Sequence, residues 1–253
     1  MSIMKNNPVL QELFRKNAGR LAELEGLDES GIEQSLSQGT MVLLGNPAHT
    51  GVVPILIGQP SGIKVNANLG TSPFLCDPNK EIEKLKLALK YGADTVMDLS
   101  IGGELGQFRQ LMLGNCPAPL GTVPIYGAAQ QYIARGESPS SLTGDDLIRE
   151  IEVQAEQGVD FMTLHCGVTR RAARLARGDN RILGIVSRGG SLTAKWMEEN
   201  DRENPLLERF DEVLAICRKH NVVISLGDGL RPGAGADAGD AAQWEEVVVL
   251  GEL

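Results

Sequence analysis

The chain has 253 residues and a mass of 27.1 kDa, and 42% of its residues are hydrophobic. This supports a large folded core and excludes a disordered or fibrous protein. The balance of 24 basic and 33 acidic side chains gives a net charge of −9, which argues against general binding to nucleic acid or to an anionic membrane. No apolar run reaches the roughly 20 residues of a bilayer-spanning helix, and we expect a cytoplasmic protein.

The N-terminal part is predicted to form a small α+β domain. Apolar residues recur at helical spacing over residues 9–24, and a second helical stretch ends near Gly39. Two short apolar runs follow and predict a small sheet, residues 41–44 and 52–57. We therefore expect an α+β domain over residues 1–62 and a second domain over residues 63–253.

From residue 63 the chain alternates apolar strands with amphipathic helices. Six strands are predicted, Ile63–Leu69, Thr95–Leu99, Val123–Tyr126, Phe161–Cys166, Ile182–Val186 and Val222–Leu226. Such alternation indicates a parallel sheet that is covered on both faces. The first strand is not followed by the GxGxxG sequence of a dinucleotide-binding sheet. We therefore predict an α/β fold of the (β/α)8 TIM type, with about six of the eight strand–helix units present and its open edges covered by another chain.

Polar residues follow the predicted strands at the end where barrel enzymes place their sites. Ser187-Arg188-Gly189-Gly190 precedes a helix, and backbone amides, glycines that let a ligand approach and a cation together predict a phosphate site. Arg231 adds a second cation. Asp228 and the asparagines at positions 66 and 68 are suited to hydroxyl or amino groups. This pattern predicts a phosphorylated sugar or a nucleotide precursor as ligand.

Six longer segments resemble, in order, the phosphomethylpyrimidine synthase (ThiC) family, over residues 65–72, 92–100, 121–126, 154–161, 184–190 and 225–233. The resemblance implies a radical S-adenosylmethionine enzyme on a (β/α)8 barrel. It implies that a [4Fe–4S] cluster cleaves S-adenosylmethionine and that the substrate is 5-aminoimidazole ribonucleotide. The implied product is 4-amino-5-hydroxymethyl-2-methylpyrimidine phosphate of thiamine biosynthesis.

Carried over position by position, the resemblance implies nine substrate contacts and assigns no catalytic residue. They are Asn68, Met97, Tyr126, His165, Ser187, Arg188, Gly189, Asp228 and Arg231. His165 lies in an apolar predicted strand, and a histidine in such a position is also typical of a buried core residue. We further expect a homodimer that binds neither nucleic acid nor membrane.

The chain also departs from the family pattern. It lacks the Glu-Gly-Pro-Gly-His segment, the second histidine of a zinc-like divalent metal site and the CxxCxxxxC cluster motif, and its four cysteines form no closely spaced pair. We therefore expect it to contain no ligands for cluster or metal and to bind substrate without turnover when alone.

Three alternatives stay open. The first alternative is the 5-hydroxybenzimidazole synthase branch of the family, which serves anaerobic cobalamin (vitamin B12) biosynthesis from the same substrate. Further departures at Ile101, Gly127 and Ala234-Gly235, beside the implied contacts, bear on this choice of product. The second is a non-catalytic ligand-binding fragment or subunit. The third is an ordinary barrel lyase that uses His165 as its base.

Overall fold

The structure is a computed structural model that describes residues 3–178 and 181–253. Its strands are β1 (Met41–Leu44), β2 (Ile55–Gly58), β3 (Asn66–Leu69), β4 (Thr95–Asp98), β5 (Leu120–Thr122), β6 (Phe161–Leu164) and β7 (Val223–Leu226). Its α-helices are α1 (Pro8–Glu25), α2 (Glu29–Gln38), α3 (Pro78–Lys90), α4 (Leu105–Leu113), α5 (Pro124–Ala134), α6 (Gly144–Gln157), α7 (Arg170–Arg177), α8 (Arg188–Asn200), α9 (Pro205–Glu208), α10 (Phe210–His220) and α11 (Ala241–Glu252).

The strands form two sheets. Strands β1 and β2 pair antiparallel, and the other five form one sheet in the order β3-β4-β5-β6-β7. The pairs from β3 to β6 are parallel, and the bonds from Val223 N–H to Asp160 O and from Gly227 N–H to Leu164 O continue the parallel pattern. The predicted α/β class is confirmed, with a parallel sheet that is part of a TIM-type fold. Within the described ranges, no helix is long and apolar enough to cross a membrane.

The chain divides into two compact units. The first unit contains the chain through Thr122 together with Glu152–Met162 and Ala215–Ile224. The second unit contains Val123–Ile151, Thr163–Leu214 and Ser225–Leu253. The domain boundary expected between residues 62 and 63 stays a prediction.

The local sequence explains where helix α1 begins and ends. Asn7 caps the helix by accepting the Leu10 N–H at 3.0 Å, Pro8 occupies the first turn, and Gly26 ends the helix in the left-handed conformation. The buried face of α1 packs with α2 and with the first two strands in one core, which includes Phe14, Leu21, Ile32, Leu36, Leu43 and Leu56. The predicted N-terminal helices and short sheet are therefore confirmed.

The strand predicted at Val123–Tyr126 is wrong. The strand ends at Thr122, and Pro124 begins α5. Proline has no N–H for a sheet ladder, while its fixed φ suits the first turn of a helix. Tyr126 therefore lies in the first turn of a helix and not at the end of a strand.

The strand predicted at Ile182–Val186 is also wrong. The N–H groups of Ile182 and Leu183 donate to the carboxylate of Asp237, at 2.8 and 3.2 Å, instead of to a neighbouring strand. Gly184 has φ +56°, which breaks an extended run. The described sheet consequently places β7 directly beside β6.

A buried ion pair joins distant parts of the first unit. Nδ1 of His49 lies 2.7 Å from Oδ2 of Asp160, and Nε2 faces the carbonyl oxygens of Leu113 and Cys116 at 3.0 and 2.8 Å. Both ring nitrogens face acceptors, an arrangement that favours the imidazolium, in which both carry protons. Burial lowers the pKa of His49, but the bonds to Asp160 and to the two carbonyls outweigh it and raise the pKa above its ordinary value.

We predict that His49→Ala lowers the free energy of unfolding by about 3–5 kcal/mol, because it leaves the buried carboxylate of Asp160 without an opposite charge, bound only by the N–H groups of Asn46 and Leu120. Since the pKa of His49 is raised, this contribution is present below the unfolded pKa of about 6.5 and is lost as pH rises through the folded value. Urea unfolding at several pH values measures it. His220→Ala is the control, and an equal loss in both variants would contradict the prediction.

Candidate functional site

The second unit contains seven of the nine predicted substrate residues, namely Tyr126, His165, Ser187, Arg188, Gly189, Asp228 and Arg231. The other two, Asn68 and Met97, belong to the first unit and are register partners on β3 and β4. Asn68 is exposed and accepts a hydrogen bond from Asn66 at 2.8 Å, whereas Met97 is buried. Their role as substrate contacts stays a prediction.

Helix α8 begins with its N-terminus in the predicted phosphate segment. Ser187 is the N-cap, and its Oγ accepts the N–H of Gly190 at 3.1 Å. The N–H groups of Arg188 and Gly189 belong to the first turn. That of Gly189 faces the phenol of Tyr126, while that of Arg188 favours an anion at this N-terminus. The sequence predicts that the residues from Ser187 to Gly190 precede the helix, whereas in the structure the helix already begins at Arg188.

The glycines of this turn are required by packing. A Cβ on Gly189 would lie 2.2 Å from Cε1 of His165, and one on Gly190 would lie 2.0 Å from the carbonyl oxygen of Gly229. Both distances are far inside van der Waals contact, so neither position has room for a side chain. The sequence suggested that these glycines let a ligand approach, but their Cα atoms contact the protein itself.

His165 is held in one orientation. Its side chain is buried, and Nε2 lies 3.2 Å from Oγ of Ser187. Asn204, which is fully buried, donates from Nδ2 to the carbonyl oxygens of His165 and Val168 at 2.8 and 3.0 Å. Nδ1 of His165 has no hydrogen-bond partner within the described residues, and it is itself buried beside Gly189.

The electrostatics keep His165 neutral. Burial lowers its pKa to about 4, and the charge of Arg231 acts in the same direction while Asp228 opposes it. A neutral imidazole presents one donor and one acceptor nitrogen. At neutral pH the ring therefore carries no charge that could form an ion pair with a phosphate.

Two guanidinium groups act on the same phenol. The Arg188 guanidinium carbon lies 5.5 Å from the centre of the Tyr126 ring. Burial raises the pKa of Tyr126, and Arg188, Arg231 and the N–H of Gly189 oppose that rise. Nη1 of Arg231 lies 3.4 Å from Oδ1 of Asp228, and both side chains are substantially exposed. Two accessible cations thus accompany the N-terminus of α8, an arrangement that suits a phosphate monoester.

The described residues do not fit an iron–sulfur cluster or a zinc ion. In residues 3–178 and 181–253, no group of three or more His, Cys, Asp or Glu side chains could hold a metal ion. Burial raises the pKa of the Cys116 and Cys217 thiols to about 11 and about 12, so these sulfurs stay protonated at neutral pH. Metal ligation by cysteine requires the thiolate.

Sequence reasoning missed two supports of this site. Asn204 fixes the backbone around His165, as described above. Arg181, whose side chain is buried, donates from Nη2 to the carbonyl oxygen of Leu230 at 2.5 Å and forms a two-point ion pair with Asp240 at 2.6 and 3.0 Å. Both act on backbone atoms far away in sequence, and no local spacing or motif could have revealed them.

We predict that His165 titrates near pH 4 and shows no change of charge between about pH 6 and pH 8. The imidazole resonance can be followed by NMR across this range and assigned with His165→Gln. A midpoint between about 6 and 7 would show that the ring is not desolvated as the structure describes.

We predict that Gly189→Ala destabilises the protein by about 1–3 kcal/mol, because the added methyl group overlaps the His165 ring. Gly251→Ala is the control, since a Cβ there meets no atom within 4 Å. Urea unfolding compares the two variants, and equal stabilities would argue against the packing described here.

Comparison with known proteins agrees with the resemblance seen in the sequence. The model of the radical SAM ThiC family matches residues 8–253. The chain is 47% identical to a phosphomethylpyrimidine synthase of Syntrophus aciditrophicus, over 92% of this chain and 54% of that protein. It is 46% identical to the enzyme of that name from Thermoanaerobacter sp. (strain X514), over 96% and 56%, and 47% identical to that from Haloarcula marismortui, over 100% and 50%. It thus spans about half the length of these curated relatives, and it belongs to the radical SAM ThiC family.

Proposed function

We propose that the chain supplies substrate-binding residues of a phosphomethylpyrimidine synthase and binds 5-aminoimidazole ribonucleotide in its second unit. The observation that carries this proposal is the position of Arg188, whose guanidinium carbon lies 5.5 Å from the centre of the Tyr126 ring at the N-terminus of α8. The charge of Arg231 acts on the same phenol. In a chain of net charge −9, a phosphate has to be held by a local cationic site, and this arrangement provides one.

Each group has a distinct task in the proposed complex. The guanidinium and the backbone N–H of Arg188 bind the phosphate, and Arg231 neutralises a further part of its charge. His165 supports this turn, since its Nε2 lies 3.2 Å from Oγ of Ser187 and its ring packs against Gly189. Asp228 pairs with Arg231 and also provides an acceptor for a hydroxyl or amino group.

The proposed reaction is the radical S-adenosylmethionine-dependent rearrangement of the ribonucleotide to 4-amino-5-hydroxymethyl-2-methylpyrimidine phosphate in thiamine biosynthesis. The names of the relatives and the family support this reaction. In radical SAM chemistry a [4Fe–4S] cluster and S-adenosylmethionine supply the radical. Since the described residues do not fit the cluster, we assign to this chain the binding and orientation of the substrate.

The 5-hydroxybenzimidazole synthase branch is the second candidate. One of the departures from the family pattern, Gly127, is buried directly after Tyr126, where a change can alter how the ring of the ligand is held. The names of the curated relatives favour the pyrimidine product. Product analysis after anaerobic incubation of the cluster-loaded enzyme with S-adenosylmethionine distinguishes the two.

We predict that Arg188→Ala weakens ribonucleotide binding about tenfold or more, since a charge-assisted contact contributes about 1.5–3 kcal/mol. Isothermal titration calorimetry with 5-aminoimidazole ribonucleotide measures this change. Arg174→Ala removes an exposed cation of α7 and is the matched control.

The same titration with the ribonucleoside, which lacks the phosphate, tests which part of the ligand Arg188 contacts. We expect weak binding that is the same for the wild type and for Arg188→Ala. Equal affinities of the wild type and Arg188→Ala for the ribonucleotide would contradict the proposed phosphate site.

A further inference from the structure

Glu246 is a buried acid on α11 that the proposed substrate site does not use. Only 2% of its surface is exposed. Its Oε1 accepts the N–H of Gly229 at 2.7 Å, and its Oε2 accepts the N–H of Leu230 at 2.8 Å. These two backbone groups lie directly between Asp228 and Arg231, so one carboxylate fixes the chain that joins the two proposed ligand contacts.

The same loop is held from its carbonyl side. Arg181 donates to the carbonyl oxygen of Leu230, and Asp240, the N-cap of α11, holds Arg181 in place. A Cβ on Gly229 would lie 2.3 Å from Cγ2 of Val168 and 3.1 Å from Oε1 of Glu246. The backbone at Gly229 is therefore packed on one side and hydrogen-bonded on the other.

We propose that Glu246 is a positioning residue that, by binding both N–H groups between Asp228 and Arg231, sets where the Arg231 guanidinium meets the phosphate of the ligand. This role rests on the proposed function of the second unit. Glu246 is buried behind the loop and acts only through its backbone, so it is not a catalytic residue.

The charge of Glu246 matters for this role. An ionised carboxylate offers an acceptor to each N–H, whereas a protonated one turns a donor towards one of them. Burial raises the pKa of Glu246 to about 6, against the opposing effect of the two N–H bonds. The charged groups facing it are Asp228 in the loop, which raises its pKa further, and Arg181, which lowers it. As pH falls through about 6, we expect the loop to lose one of its two anchors.

Glu246→Gln tests the proposal, because the amide keeps the shape of the side chain but accepts only one of the two N–H groups. Glu245→Gln is the matched control, since the neighbouring acid pairs with Arg171 at 3.3 Å instead of with the loop. Calorimetry with 5-aminoimidazole ribonucleotide between about pH 5 and pH 8 is carried out on the wild type and both variants. The phosphate of the ligand titrates equally in all three, so a difference between their profiles belongs to the protein.

At about pH 7.5, we expect Glu246→Gln to bind the ribonucleotide about tenfold more weakly, which corresponds to the loss of one hydrogen bond. We expect Glu245→Gln to bind it with the affinity of the wild type. Between about pH 7 and pH 5, the wild type should lose more affinity than Glu246→Gln does. Hydrogen exchange at the Gly229 and Leu230 amides should be faster in Glu246→Gln. Faster exchange with wild-type affinity would overturn the proposal, because the carboxylate would then hold the loop without affecting the ligand.

Two further outcomes are distinguishable. If the wild type does not bind the ribonucleotide, the proposed function fails, and this role of Glu246 fails with it. If Glu246→Gln does not fold, Glu246→Asp replaces it, since it keeps the charge but withdraws the carboxylate by one methylene group. We expect weaker binding in that variant as well, and wild-type affinity there would overturn the positioning role alone.

Discussion

The candidate site depends on a close approach of backbone to backbone. The first turn of α8 and the loop after β7 touch at Gly190 and Gly229, and the adjacent Gly189 lies against the ring of His165. This approach is possible only because these positions carry no side chain. It brings a helix N-terminus, a neutral histidine and the loop that carries Arg231 into one small region of the second unit. Each of these features alone would be an ordinary element of an α/β protein.

Buried polar side chains maintain this arrangement by satisfying backbone groups. Asn204 binds two carbonyl oxygens near His165, Arg181 binds the carbonyl oxygen of Leu230, and Glu246 binds the two N–H groups beside it. An unpaired buried N–H or carbonyl group is costly, so a loop with several such bonds has few alternative conformations. The exposed guanidinium of Arg231 is thus carried on backbone that is fixed from behind.

The sequence predicted the elements that follow from periodicity and local chemistry. The amphipathic helices and the N-terminal sheet were found because their apolar spacing and caps lie within a few residues of one another. The run at Ile182–Val186 was misassigned because its apolar composition suits a strand, while its backbone is satisfied by a side chain, that of Asp237. The strand predicted at Val123–Tyr126 was wrong because proline, here Pro124, favours the first turn of a helix. Glu246 could not be found, since nothing in its spacing reveals which loop it will bind.

The ion pair of His49 and Asp160 has a consequence for synthesis of the chain. The two residues are 111 positions apart, and the first unit also includes Ala215–Ile224, of which Asn221 donates to the carbonyl oxygens of Leu43 and Gly45. Contacts of such long range close large loops and slow folding. On the ribosome, the N-terminal helices and hairpin emerge long before their distant partners. A nascent chain must therefore be translated at least as far as Asn221 before this unit can be completed, and until then that surface stays uncovered.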